Sequence, residues 1–116
     1  MDELRAALLA LHKAVLAAER RSLERVHGRL ANAEFLQIVS DPVRYGWLKP
    51  FTALLLAFDD EEHEGDLVAE TRELLLPPKG GTPFGRRYLS LMQRSPELVL
   101  AHRELTSALR AVKRPS

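Results

Sequence analysis

The sequence predicts an all-α fold, a compact bundle of five to six helices with a long N-terminal helix. Three observations carry that prediction. Apolar residues recur at three- and four-residue spacing through nearly every segment. No segment shows sustained period-two alternation, and no Asn-Gly or Asp-Gly hairpin signal occurs. Finally, a capping residue followed by proline recurs where helices would restart, at Asp41-Pro42, Thr82-Pro83 and Ser95-Pro96. Apolar stripes on four or more helices can be hidden only against one another, which is why such a pattern implies a bundle.

Taken in order, residues 2–30 read as one helix of about eight turns. At 100° per residue, Leu8, Leu11, Val15, Leu16, Leu23 and Val26 form one apolar face. Two heptad rows run along it, one of Leu9, Leu16, Leu23 and Leu30, the other of Leu4, Leu11 and Ala18. Gly28 lies near the end of this helix, and "LANAEFLQIVS" predicts a short second helix capped by Asn32. Asp41 as N-cap and Pro42 at the first helical position start a third. Its stripe of Val43, Trp47, Phe51, Leu54, Leu55 and Phe58 runs through Pro50, which predicts a kinked helix or two helices meeting at Lys49-Pro50. Gly65 and Asp66 mark the next boundary, before a short helix presenting Leu67, Thr71, Leu74 and Leu75. "PPKGG" is the clear breaker of the chain. Beyond it, Phe84, Tyr88, Leu91 and Met92 share one helix face. Leu98, Ala101, Leu105, Ala108, Leu109 and Val112 complete the last stripe, and "KRPS" reads as a frayed tail.

Composition narrows the function classes. A length of 116 residues predicts one helical domain over residues 1–116, and 46% hydrophobic with 28% charged residues is the balance of a soluble globular chain. The net charge of +1 supplies no global field toward nucleic acid or an anionic membrane, so neither is expected as a partner. Having no cysteine, the chain has no disulfide, thiolate metal site or cysteine nucleophile. Asp2 and Glu3 open the sequence, and Arg5 and Lys13 leave too short an apolar run for a signal sequence. A cytoplasmic location is the expectation.

His12 and Glu19 fall near the middle of the apolar face of the first helix, with Arg5 one heptad earlier. They lie about 10 Å apart along the axis, too far to bond each other. One reading is a polar core row in which neighbouring helices supply partners and fix register. A sharper one follows from the equal spacing. Two copies of this helix crossing antiparallel about His12 would bring Arg5 against Glu19 of the other copy, an isologous homodimer contact. His12 and Glu19, with His102 from the last helix, form the alternative, a ligand, metal or haem site in the core. Otherwise no cofactor is expected. Glu24 and His27 make a Glu-x-x-His step, but a dimetal bundle needs two such steps and two further glutamates, and Glu24 points away from the apolar face.

"DDEEHEGD" packs Asp59, Asp60, Glu61, Glu62, Glu64 and Asp66 into eight positions without the spacing of a calcium loop. It reads as a solvated acidic loop, or as a docking patch for a basic partner. Arg20, Arg21, Arg25 and Arg29 are its intramolecular or intersubunit counterpart. "PPKGGTPFGRR" brings two glycines, Lys79, Arg86 and Arg87 to a helix start, but lacks the strand and residue order of a P-loop and reads as an interhelical loop. Arg44, Tyr45 and Trp47 lie beside the Pro50 bend, as core or as the lining of a groove. No nucleophile, zincin or Ser/His/Asp pattern occurs.

The phrases "LHKAVLAAERRSLERVHG", "FLQIVSDPVRYGWLKPFTALL" and "GRRYLSLMQRSPELVLAHRELTSAL" together span most of the chain. They resemble a family of small, uncharacterised, all-helical bacterial proteins. The resemblance implies a bacterial cytoplasmic protein; the family has no established activity, so it brings no functional residues. The functional expectation is a non-enzymatic interaction or small regulatory module, self-associating through its N-terminal helix.

Overall fold

Three helices begin at the capping groups written in the sequence. Asp66 Oδ1 accepts from the amides of Val68 (3.0 Å) and Ala69 (3.2 Å), Thr82 Oγ1 from that of Gly85 (2.9 Å), and Ser95 Oγ from that of Leu98 (3.2 Å). Each satisfies an amide that the first helical turn leaves without an internal acceptor. The computed structural model describes residues 2–112, so the "KRPS" tail lies outside the described residues. Its helices are α1 (Asp2–His27), α2 (Asn32–Val39), α3 (Lys49–Phe58), α4 (Leu67–Leu75), α5 (Pro83–Met92) and α6 (Pro96–Ala111), with a 3-10 turn over Gly46–Leu48 before α3. No strand occurs among the described residues, and none of these helices is long and apolar enough to cross a membrane.

The longest element organises the rest. α6 runs back along α1, with Arg21 of α1 beside Glu97 at the start of α6 (3.4 Å). α3 and α5 also pack on α1, and α4 packs on α3. The main core is lined by Leu4, Leu8, Leu11 and Val15 of α1, Phe51 of α3, Leu75 of α4, Phe84 and Tyr88 of α5, and Leu98, Leu105 and Leu109 of α6. A smaller cluster of Leu23, Leu30, Phe35 and Tyr45 closes the far end of α1, and Leu16 and Trp47 touch both. Burying each such side chain stabilises by about 1.5–3 kcal/mol, so the two clusters supply most of what holds the helices together.

Several details depart from the sequence reading, each for a physical reason. α1 stops at His27, because Gly28 takes a left-handed φ of 79° that returns Leu30 and Phe35 onto Leu23. That reversal leaves Val26 on the open side, 78% exposed. In the row of Leu9, Leu16, Leu23 and Leu30, Leu9 is exposed, Leu16 half-buried and Leu23 buried. A straight helix drifts about 20° per heptad, so one strict row cannot face the core throughout. Asn32 occupies the first turn of α2 and is not its cap; Glu34 reaches back to the Ala31 amide instead (3.2 Å). Asp41 organises one turn, accepting from the Val43 amide (3.0 Å), and no helix follows directly. Pro50 lies in the first turn of α3, where its missing N–H costs nothing; of the two expected arrangements the kinked helix is absent, and the 3-10 turn meets α3 at Lys49. Val43 is therefore out of helical register with Phe51 and stands 93% exposed.

Candidate functional site

Among the described residues, Glu19 is the one carboxylate whose side chain is nearly sealed from solvent, and it finds its partners inside the chain. The apolar face of α1 carries it inward between two segments that each bring a donor. Arg87, one turn into α5, donates from Nε (3.0 Å) and Nη2 (2.7 Å) to Glu19 Oε2. The Tyr45 hydroxyl, from the turn that Asp41 organises, donates to Oε1 (3.1 Å). Both carboxylate oxygens are thus satisfied, as a buried charge requires. Burial first, and then the Glu19 carboxylate, push the Tyr45 phenol up to about 12, so Tyr45 remains a donor at any ordinary pH.

Arg5 and His12 stand in the same heptad row but lead elsewhere. Arg5 makes a two-point contact with Asp59 (2.8 and 3.1 Å) on the exposed surface; the guanidinium hydrogen bond holds Asp59 below the usual carboxylate range. His12 lays its ring edge-on to Phe51 at 5.2 Å, and its Nε2 is buried with no hydrogen-bond partner. Burial lowers the His12 imidazole from its ordinary value. His102 shares a 2.7 Å hydrogen bond between Nδ1 and the Tyr88 hydroxyl; burial lowers His102 and raises Tyr88. The three residues grouped by sequence as a ligand site are therefore separated. Glu19 is consumed by Arg87 and Tyr45, His12 faces Phe51, and His102 faces Tyr88. Among the described residues, no three or more His, Asp or Glu side chains cluster closely enough to hold a metal ion. Glu24, of the Glu-x-x-His step, accepts from the Leu30 amide (2.9 Å) and closes the turn after α1.

The acidic segment divides as well. Asp59 is paired with Arg5, Asp60 accepts from the Glu62 amide (2.9 Å), and Asp66 caps α4. Glu61, Glu62 and Glu64 stand exposed. Of the arginines expected as a counterpart, Arg20 binds Asn32 (2.8 Å) and the Leu30 carbonyl, Arg21 faces Glu97, and Arg25 and Arg29 stand exposed. In the 77–87 segment, Lys79 pairs with Glu73, Arg87 with Glu19, and the Gly85 amide with Thr82. The segment reads in sequence as an interhelical loop, and it joins α4 to α5. Lys79–Glu73 and the Thr82–Gly85 bond close that loop, while Arg87 reaches across to α1.

Two open surfaces lie beside these residues. Between α3 and α4 runs a groove of about 550 Å³ bordered by Pro50, Ala53, Leu54, Leu56, Ala57 and Leu74, with Asp60, His63 and Glu70 at its polar end. His63 Nε2 and Glu70 Oε2 lie 2.7 Å apart there. At the opposite end of α1, a recess of about 390 Å³ opens over Glu19, Tyr45, Trp47 and Arg87. Arg44, Tyr45 and Trp47, read from the sequence as core or as groove lining, all border this recess, and Tyr45 also belongs to the smaller core cluster. Arg87 as the partner of Glu19 was missed, although its flanking position beside Phe84 and Leu91 on α5 was the available signal. No known protein family, curated protein or solved structure matches the chain.

Proposed function

We propose that the protein is a non-enzymatic interaction module whose α3–α4 groove receives an amphipathic helix bearing basic side chains. The observation that carries this reading is the junction of an apolar groove with an acidic loop. Leu56 is 66% exposed at the groove, beside Ala53 and Ala57. From Asp60 to Asp66 the chain carries five carboxylates and no lysine or arginine. A helix laid in the groove buries its apolar side chains on Leu56, Ala53 and Leu74, while Lys or Arg residues reach the acidic end and set orientation and encounter rate. Self-association through α1 has less behind it, since Arg5 and Glu19, the residues of the antiparallel pairing, are both bonded within one chain.

The test is an amide-resolved NMR titration with two synthetic helical peptides that share one leucine face. In one the polar face is lysine and in the other glutamate. The lysine peptide is expected to shift Ala53, Leu56, Ala57 and Leu74 saturably, the glutamate peptide is not, and Leu56→Glu abolishes the response. No shifts, or equal shifts with both peptides, overturn the proposal. A dimer in sedimentation that Leu56→Glu disperses also overturns it, by giving the groove to a second copy.

A further inference from the structure

The recess at the C-terminal end of α1 is independent of the α3–α4 groove and has the opposite charge. We propose that it binds a small organic dianion with a planar apolar body, of the aryl phosphate class. Three guanidinium groups border it, from Arg44, Arg87 and Arg94, against the single carboxylate of Glu19, an excess of two positive charges in its lining, while Arg44 also faces the adjoining recess of Glu34 and Asp41. Arg87 is held in place. Its Nε and Nη2 are spent on Glu19, while Nη1 makes no hydrogen bond among the described residues. The Arg44 and Arg94 side chains are exposed, and neither makes an ion pair or hydrogen bond among the described residues. One immobilised and two adaptable guanidiniums suit a tetrahedral dianion, which offers several acceptor oxygens to planar donors.

The rest of the wall explains why the ligand is not a bare inorganic ion. Trp47 is half-buried beside the arginines, and Val26 stands 78% exposed at the rim although it belongs to the apolar face of α1. A flat ring lying on Trp47 and Val26 removes both from water while its charged group meets the arginines. A volume of about 390 Å³ lies within the range of small-molecule sites.

Trp47 is the only tryptophan of the chain, so its emission reports on the recess without a label. Full-length protein is titrated with phenyl phosphate, with inorganic phosphate and with benzyl alcohol, exciting tryptophan alone. Phenyl phosphate is expected to produce a saturable change, inorganic phosphate to bind at least about tenfold more weakly, and benzyl alcohol to give none. The double variant Arg44→Ala/Arg94→Ala should weaken phenyl phosphate binding about tenfold or more, as loss of charge-assisted hydrogen bonds does. Its circular dichroism should be unchanged, since neither side chain supports the fold. The proposal is overturned by the absence of a saturable change, by equal binding of inorganic phosphate, or by a double variant that binds as tightly as the parent.

Discussion

At position 12 an imidazole edge rests against the Phe51 ring, with Nε2 shut from water and unbonded. Burial lowers its pKa below the ordinary 6.5. The sign of the consequence is fixed by linkage. Below about pH 6.5 the unfolded chain takes up the proton before the folded one does, so stability falls with acidification and levels off only beneath the lowered folded value. His102, also lowered by burial, adds a term of the same sign. Replacing His12 with Phe removes the unsatisfied nitrogen and is expected to stabilise the fold by about 1 kcal/mol at pH 7. It should also flatten the loss of stability between pH 7 and 5. Chemical denaturation at the two pH values checks both, and an unchanged pH slope would show that this imidazole is solvated. Periodicity alone placed His12 and Glu19 on the inward face of α1. Whether each would be bonded or merely enclosed was not legible, because that depends on which side chain of a distant segment lies opposite.

The elements were legible where local chemistry decides them. Asp66, Thr82 and Ser95 cap α4, α5 and α6 through bonds to amides two or three residues ahead, so their sequence neighbourhood suffices. Around Pro50 the apolar spacing fitted a continuous helix and the proline fitted a helix start, and the second won, since Gly46 and the turn at Asp41 precede it. A close backbone approach left no such trace at Gly85. A Cβ built there lies 1.8 Å from the Lys79 carbonyl oxygen and 2.5 Å from its carbon, so the first turn of α5 is pressed against backbone that cannot yield. Gly85→Ala is expected to destabilise by about 2 kcal/mol or more, the scale of forced overpacking. Gly81→Ala, with nothing within 4 Å of the added atom, should change stability little. Equal denaturation midpoints for the two variants would contradict this packing of the loop on α5.

Across the whole molecule, which spans 52 × 29 × 27 Å, charge is sorted along α1. The acidic 59–66 loop lies beside its N-terminal end through Arg5 and Asp59, and the Arg44–Arg87–Arg94 recess lies at the other. The all-helical class and the long first helix followed from periodicity. The sorting did not, because it arises from which helix ends meet in space. At the recess end, the bond from Glu19 to Arg87, 68 residues apart, with Tyr45 on the second oxygen, ties α1 to α5 and to the turn before α3. Removing one member of a fully buried pair costs about 3 kcal/mol or more. With Arg87 about a third exposed to water the cost here is lower, about 2 kcal/mol, and replacing both with apolar groups of similar size costs less still. A double-mutant cycle with Glu19→Leu and Arg87→Met, followed by chemical denaturation, measures that dependence. The predicted result is a coupling of about 2 kcal/mol, with the double variant well above the sum of the singles in stability. Additive losses would show that Glu19 is not held within the chain, and the account of a self-contained polar core would fail.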